Sequence, residues 1–182
     1  MIGRASVAAL VVAAAVTACG GNDDWSPSAQ FAPSLQPAFG ARVTDGQLRI
    51  WTGSPCTGVT RLALTFNPDQ ADRADLVLTS PTNEGAHVEH LTLGGPYPGL
   101  EISEPLPDGF DWRSARSLRM VISASRDGWG STSDLTQVVT GSTQHGTDAY
   151  RFQDIGWLTA ADVAAQDGKT FLATCTPDPA KD

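Results

Sequence analysis

Lysine is nearly absent from this chain of 182 residues, in which only Lys169 and Lys181 occur. The formal net charge is −8, from 20 acidic and 12 basic side chains. An acidic surface repels phosphate backbones, so the composition argues against nucleic-acid binding. It also provides no broad basic face for anionic lipids, so any association with a membrane must use another kind of attachment.

The N-terminal apolar run is too short to span a bilayer. Ala5 to Ala18 carries no charge, and as a helix these 14 residues would extend about 21 Å, less than the hydrocarbon core of roughly 30 Å. Arg4 precedes the run, and the polar sequence GGNDD follows it after Cys19. This order is typical of an export signal, so we predict a signal peptide over residues 1–18.

The end of this run, Val16-Thr17-Ala18-Cys19, resembles the lipobox of bacterial lipoproteins. That pattern has a branched aliphatic residue, a small or β-branched residue, Gly or Ala, and an obligatory Cys. The resemblance implies cleavage before Cys19, diacylglycerol on its thiol and a fatty acid such as palmitate on the new amine. Two or more acyl chains anchor a protein stably. The alternative is an ordinary secretory signal, cleaved after Ala18.

The resemblance covers only the first 19 residues. It implies that the protein is held at the extracytoplasmic face of the bacterial cell membrane, in the cell envelope. Abundant Ala, Val, Gly, Asp and Arg with little Lys is a composition associated with GC-rich genomes, such as those of actinobacteria.

The prolines of residues 19–40 predict a tether between the lipid and a folded domain. Pro27, Pro33 and Pro37 lack amide donors, and the residues between them follow neither a helical nor a strand period. Phe31, Leu35 and Phe39 recur every four residues, and we expect them to pack loosely against the domain. The domain itself is assigned to residues 41–182.

Alternation of apolar and polar residues dominates the chain from Gln47 onward and predicts short strands. The predicted strands are QLRIWTG, TRLALTF, DLVLTS, HVEHLTL, LEIS, SLRMVISAS, LTQVVT, AYRFQDI and TFLATC. Turn pairs such as Asp45-Gly46 separate them. The pattern favours a mainly β domain, an antiparallel sandwich or barrel. One short helix is predicted near the C-terminus, over AADVAAQ after the N-cap residue Thr159.

The three cysteines form an odd set, which would leave one thiol free in an exported protein. Assigning Cys19 to the lipid leaves Cys56 and Cys175. Outside the cytoplasm these two are expected to be oxidised to each other. We therefore predict a disulfide between Cys56 and Cys175.

Motifs for catalysis and metal binding are missing or incomplete. The sequence contains neither a G-x-S-x-G elbow nor an S-x-x-K motif. In HVEH, a strand would place His87 and Glu89 on one face but Val88 and His90 on the other, and His145 lies far along the chain. The sequence SRDGWGSTSD lacks the register of a calcium loop and is better explained by a type I′ hairpin turn. No catalytic residue, metal ligand or cofactor is predicted.

Aromatic residues in predicted loops provide the candidate binding surface. Tyr97, Trp112 and Trp129 lie in GGPYPG, DGFDW and DGWG. Loop aromatics beside Asp and Gly can stack on sugars or contact a protein partner. The alternative is that they plug the ends of the core.

The sequence therefore predicts a lipid-anchored envelope lipoprotein with a non-enzymatic β domain that binds an envelope protein or glycan or has a structural role. Two alternatives remain open. One is an envelope hydrolase whose site is assembled only in space. The other is a carrier of lipid or glycolipid, which would need a large apolar cavity.

Overall fold

The structure, a computed structural model, describes residues 35–124 and 128–179. The predicted signal peptide, Cys19 and the tether as far as residue 34 lie outside the described residues. So do residues 125–127, the start of SRDGWGSTSD, for which the sequence predicts a hairpin turn.

The domain is mainly β with an antiparallel sheet, which confirms the predicted fold class at that level. The described strands are β1 Pro37–Ala38, β2 Gly40–Thr44, β3 Gln47–Phe66, β4 Ala74–Thr79, β5 Ala86–Thr92, β6 Glu101–Glu104, β7 Ser117–Ala124, β8 Gly128–Asp134, β9 Tyr150–Phe152, β10 Gly156–Leu158 and β11 Leu172–Ala173. The helices are α1 Leu135–Gly141, α2 Ala160–Gln166 and a short 3₁₀ helix, Trp112–Ser114.

The long strand β3 contradicts the prediction of two separate strands in this part of the chain. Its 20 residues include both QLRIWTG and TRLALTF. The sequence between them, SPCTGV, contains a glycine and a proline and is typical of a loop, but it forms irregular strand instead. The register shifts between Trp51 and Cys56 and again between Cys56 and Val59. Gly53 and Gly58 have φ of +83° and +66°, a conformation that favours glycine.

Each edge of β3 pairs with two strands, one after the other along its length. On one edge β5 pairs with Arg49–Val59 and β4 with Arg61–Phe66, while on the other β2 pairs with Gln47–Trp51 and β7 with Val59–Phe66. The sheet runs in the order β10-β9-β2-β3-β4-β6, and β8 extends it from β7. It does not close on itself, so the predicted barrel is excluded.

The main core lies on the inward face of these strands. Its largest fully buried side chains include Phe66, Leu48, Ile50, Leu62, Leu64, Leu78, Leu118, Met120 and Ile122. A second cluster joins Trp51, Phe152, Phe171 and Val163. Phe39 is only 1% exposed and packs in the main core, and β1 precedes it. The fold therefore includes residues 37–40, which the sequence analysis assigned to the end of the tether.

Asp45 and Gly46 form the two-residue turn between β2 and β3, as the sequence predicts. Their φ angles are 51° and 73°, and Thr44 pairs with Gln47 across the hairpin. Two consecutive positive φ angles are the mark of the type I′ turn that matches the twist of the strands.

Helix α1 corrects the prediction of a strand over LTQVVT. Asp134 caps the helix, since its Oδ1 accepts from the amides of Thr136 and Gln137 at 2.8 and 3.2 Å. Leu135 and Val138, three residues apart, turn one helical face to the core. The β-branched residues favour a strand, but the cap and this buried face decide for a helix.

Helix α2 occupies Ala160–Gln166, in the segment for which the sequence predicts one, and it is the second helix rather than the only one. Thr159 and Asp162 form a capping box. The hydrogen bond from the Thr159 hydroxyl is the largest cause of a lowered pKa at Asp162, and the Thr159 amide contributes further. The ionised carboxylate at the positive end of the helix is stabilised.

The predicted disulfide between Cys56 and Cys175 is confirmed, with the two Cα atoms 5.4 Å apart. Hydrogen bonds hold the same two segments together. The Thr174 amide donates to the Thr52 carbonyl at 2.8 Å, and the Ser54 hydroxyl donates to the Thr174 carbonyl at 2.7 Å. The bond therefore joins the irregular middle of β3 to the C-terminal segment.

Replacing both cysteines, Cys56→Ala with Cys175→Ala, should destabilise the domain. The residues are 119 positions apart, and the chain-entropy model gives about 5 kcal/mol for a loop of this length. Urea unfolding of the oxidised wild type and the double variant measures the loss. Reduced wild type is the control and should unfold near the double variant. Equal stability of oxidised and reduced wild type would contradict the prediction.

Arg42 on β2 is buried at 2% exposure without an acidic partner within ion-pair distance among the described residues. Its Nη1 donates to the carbonyls of Gly146 and Ala149, both at 2.6 Å, and its Nε donates to Thr44 Oγ1 at 2.9 Å. The guanidinium also lies 5.8 Å from the ring of Tyr150. Burial raises the pKa of Tyr150, although Arg42 and Arg49 oppose this shift. Arg42 thus fixes the loop between α1 and β9.

Arg42→Lys should destabilise the domain by about 1–3 kcal/mol, because a single ammonium group cannot reproduce the three hydrogen bonds of the guanidinium and leaves a buried carbonyl without a donor. Chemical unfolding gives the size of the loss, and hydrogen exchange should show faster exchange in residues 142–149. Arg119→Lys, on the exposed face of β7, is the matched control and should change stability by less than about 0.5 kcal/mol. Equal stability of the two variants would refute the assigned role of Arg42.

Candidate functional site: an aromatic pocket beside an edge strand

Two of the three predicted aromatic residues, Tyr97 and Trp112, lie around one pocket of about 280 Å³. Tyr97 belongs to the connection between β5 and β6, and Trp112 begins the 3₁₀ helix. The pocket is almost entirely apolar, with Leu76, Leu93, Gly94, Ile102, Pro105 and Leu106 completing its lining. The fold therefore brings together side chains that are far apart in the sequence.

Ile102 distinguishes this pocket from ordinary surface. Its residue exposure is 52%, and only Val139 joins it as an exposed large hydrophobic residue in the described part of the chain. It lies on β6, an edge strand that pairs with β4 alone. A large apolar residue exposed at the rim of an apolar pocket is typical of an interaction surface.

Local contacts hold both aromatic residues: a hydrogen bond to the Tyr97 hydroxyl and, for Trp112, the cap of its 3₁₀ helix and the neighbouring Arg113. The Gly94 amide donates to Tyr97 Oη at 3.0 Å. Asp111 caps the 3₁₀ helix by accepting from the Arg113 amide at 3.1 Å. The Arg113 guanidinium lies 5.0 Å from the Trp112 ring and donates to the Gly46 carbonyl, so it ties the 3₁₀ helix to the β2–β3 turn. The pocket walls are thus held in place before any ligand binds.

Residues 101–113, which contribute Ile102, Pro105, Leu106 and Trp112 to the pocket and are called its rim here, carry an excess of acidic side chains. Exposed carboxylates occur along the segment that forms β6 and leads to Trp112: Glu101, Glu104, Asp108 and Asp111. Arg113 is the one basic side chain of residues 101–113, and it lies 3.4 Å from the Asp111 carboxylate. An excess of carboxylates in this segment favours a ligand that carries positive charge around an apolar group.

Trp129 does not join this pocket, and its predicted place in a loop is wrong. It lies within β8, where it pairs with Ile122 of β7, and it packs partly buried against the main core. The glycines on either side resemble a turn but continue the strand. For Trp129 the structure supports the alternative of a residue that covers the core. Phe110 behaves similarly, with its ring 5.2 Å from that of Phe66.

Sequence reasoning missed Ile102 as a member of the site. The usable signal was EISEP, in which glutamates flank an apolar residue in a short strand that ends at proline. Such charges and prolines protect edge strands from unwanted pairing. The pattern thus marks β6 as an edge, although it does not show which apolar side chains meet Ile102.

The three histidines lie apart from this pocket. HVEH forms part of β5, where His87 and His90 are exposed and Val88 alone of the four is buried. His90 stacks on Trp51 with ring centroids 5.7 Å apart. Glu89 accepts from Trp51 Nε1 at 3.4 Å. Within residues 35–124 and 128–179, no group of three or more His, Cys, Asp and Glu side chains is placed to hold a metal ion.

Another groove, of about 700 Å³, runs along β8 and contains serines and carboxylates, among them Ser131, Ser133 and Asp134. Its lining contains no histidine, and His145 lies in another groove. Ser133 Oγ is buried without a hydrogen-bond partner in the described structure. A serine nucleophile and an imidazole base therefore do not meet in either groove.

The helices of the described domain are short, and none of them has the length and apolar character needed to cross a membrane. Comparison of the chain with protein-family models, with curated proteins and with solved structures found no match.

Proposed function

We propose that this protein is a lipid-anchored envelope lipoprotein whose β domain binds an extended peptide segment of another envelope protein. The observation that carries the proposal is the convergence of Tyr97, Trp112 and the exposed Ile102 on one apolar pocket. This is a binding role without catalysis, and it needs no cofactor.

The size of the pocket supports a single side chain as the occupant. Small-molecule sites usually enclose about 300–1,000 Å³. A pocket of about 280 Å³ is smaller and fits one large aliphatic or aromatic residue. Burying such a side chain contributes about 1.5–3 kcal/mol, and anchors of this kind dominate many protein interfaces.

The charge of the rim supports a basic partner segment. Four carboxylates and one arginine lie in residues 101–113. A partner with Lys or Arg on either side of its anchor residue would meet complementary charge, which speeds association and selects against acidic segments.

The edge of β6 supports an extended conformation for that segment. Beyond β4, no described strand pairs with β6. An added strand can bond to the free backbone groups of an edge while one of its side chains enters a neighbouring pocket. In this proposal the edge sets the register of the partner and the pocket selects the anchor.

The N-terminal sequence supports the location. In the proposal, Cys19 carries the lipid at the extracytoplasmic face of the membrane, and residues 20–34 lead to β1. The acyl chains provide the attachment that the acidic surface does not. The oxidised pair Cys56–Cys175 agrees with a compartment outside the cytoplasm.

We also propose that the layers form a sandwich-like arrangement rather than one flat sheet. β3 has two bulged positions in its middle, and bulges bend a strand. The first half of β3, with β2 and β5, would then form one layer. The second half, with β4 and β7, would form the other layer, and the core would lie between them.

Cys19→Ala should release the protein from the membrane into the soluble fraction, because no acyl chain can then be attached. Fractionation with detergent extraction measures the release, and mass spectrometry of the N-terminal peptide shows the added lipid mass in the wild type. Thr17→Ser keeps the pattern of the lipobox and should stay in the membrane. Membrane retention of Cys19→Ala, or a wild-type N-terminus without lipid, would exclude the proposed anchor.

The pocket proposal is tested with synthetic heptapeptides that carry two lysines before and two lysines after a variable central residue. We expect peptides centred on Leu, Phe or Trp to bind at least about 10-fold more tightly than the Ala-centred peptide, a difference of about 1.4 kcal/mol. Ile102→Glu should remove this preference. Fluorescence anisotropy gives the dissociation constants.

Val139→Glu is the matched control, because Val139 is the other exposed large hydrophobic residue in the described part of the chain. It should bind like the wild type. Peptides in which glutamates replace the lysines should bind the wild-type protein more weakly than the lysine peptides do. The same affinity for Leu-centred and Ala-centred peptides, or the same loss in both protein variants, would overturn the assignment of the pocket.

A further inference from the structure

A second groove, of about 460 Å³, lies between α1, the loop that comes after it and the β9–β10 hairpin. We propose that it binds a pyranose sugar that carries a carboxylate, such as a uronic acid. This site is separate from the aromatic pocket: β9 and β10 lie at one end of the strand order and β6 at the other.

Trp157 and His145 provide an aromatic surface in the groove. Their rings stack with centroids 4.6 Å apart and planes at 13°. Gly141 on α1 permits the close approach of the indole, because a Cβ at that position would lie 2.5 Å from Trp157 Cζ2. The rings are therefore held in a fixed plane, and a sugar ring stacks on such a plane at little cost in conformational entropy.

Arg151 provides the positive charge. It pairs with Trp157 directly across the β9–β10 hairpin, so both side chains lie on the same face. Its Nη2 donates to Gln137 Oε1 at 2.7 Å and its Nη1 to the Phe152 carbonyl at 2.8 Å. Both acceptors are neutral. In the part of the chain that the structure describes, no carboxylate lies within ion-pair distance of Arg151.

Gln137 lies between this arginine and Asp134. Its Nε2 donates to Asp134 Oδ2 at 3.1 Å, while Asp134 Oδ1 caps α1. The amide thus orients the guanidinium without neutralising it. A guanidinium that is fixed in place and keeps unused N–H groups is suited to bind a carboxylate through two parallel hydrogen bonds.

The remaining polar groups match sugar hydroxyls. The indole N–H of Trp157 has no acceptor among the described residues. Gln144 and Thr140 also line the groove, and they add an amide and a hydroxyl that both donate and accept. No Asp or Glu side chain of the described residues lines the groove, although the whole chain has a net charge of −8. A local absence of acid beside a free arginine favours an anionic ligand.

The aromatic surface and Arg151 together define the class of ligand that the groove would bind. A neutral sugar would stack on the aromatic surface but leave Arg151 without an anion. A small anion would reach Arg151 but bury none of the aromatic surface. A carboxylated pyranose satisfies both, and the groove volume lies within the usual range for small-ligand sites.

The test uses the full chain with trigalacturonate as the probe, and with neutral trigalactose and sodium acetate as comparison ligands. Isothermal titration calorimetry measures the affinities, and tryptophan fluorescence reports contact with the ring. We expect trigalacturonate to bind at least about 10-fold more tightly than either comparison ligand. Arg151→Gln should remove most of that difference and leave the weak binding of trigalactose unchanged.

Three variants separate the possible outcomes. Arg119→Gln, an exposed arginine on β7, controls for the loss of one charge and should bind like the wild type. Trp157→Phe keeps an aromatic ring but lacks the indole N–H, and should bind several-fold more weakly. Ile102→Glu in the aromatic pocket should have no effect, so failure of the sugar site and failure of the peptide site can be told apart.

Equal affinities for trigalacturonate and trigalactose would overturn the proposal. Acetate binding as tightly as trigalacturonate would show a simple anion site and would also overturn it. Equal losses in Arg151→Gln and Arg119→Gln would have the same consequence, provided that circular dichroism shows both variants to be folded.

Discussion

The domain depends on one long strand, β3, which pairs with other strands along both of its edges. The 20 residues of β3 offer both of their edges to other strands, and four strands pair with them in succession. The register shifts twice in its middle, between Trp51 and Val59. Gly53 and Gly58 there have positive φ, and Cys56, between them, joins this irregular part of β3 to the C-terminal segment. The main core and the smaller cluster around Phe152 both contain residues of β3.

Local patterns in the sequence correctly predicted the structural features that depend on residues close together in the chain. Alternation located β4 to β7, the pair Asp45-Gly46 located a hairpin, and the count of cysteines gave the disulfide. The errors arose where distant residues decide. WTGSPCTG has the composition of a loop, but pairing with β5 keeps it in β3. LTQVVT has the composition of a strand, but the Asp134 cap and the core contacts of Leu135 make it a helix. Likewise, the sequence identified Tyr97 and Trp112 as aromatic residues in loops. The pocket that they share also depends on the pairing of β4 with β6, which the sequence did not show.

The arginines show how an acidic protein distributes its few positive charges. Arg42 is buried and serves the fold, since it holds the carbonyls of Gly146 and Ala149. These carbonyls belong to the loop that carries His145, so a buried hydrogen-bond network supports one face of the second groove. Arg113 ties the 3₁₀ helix of the aromatic pocket to the β2–β3 turn. Arg151 differs from both in having only two neutral acceptors and open space beside it, which is why a ligand is assigned to it.

The disulfide lies close to the place where the proposed lipid-anchored N-terminal segment would enter the domain. In the proposed anchored protein, any pull from the membrane reaches the domain through β1. β1 pairs with β11, and the Thr174 hydroxyl adds a hydrogen bond to the Ala38 carbonyl at 3.3 Å. A two-residue parallel pair would separate easily by itself. Cys175 lies two residues beyond β11, however, and its covalent bond to Cys56 passes the force on to β3. A two-residue strand pair is thus backed by a covalent bond, at the point where the chain from the proposed lipid anchor would enter the fold.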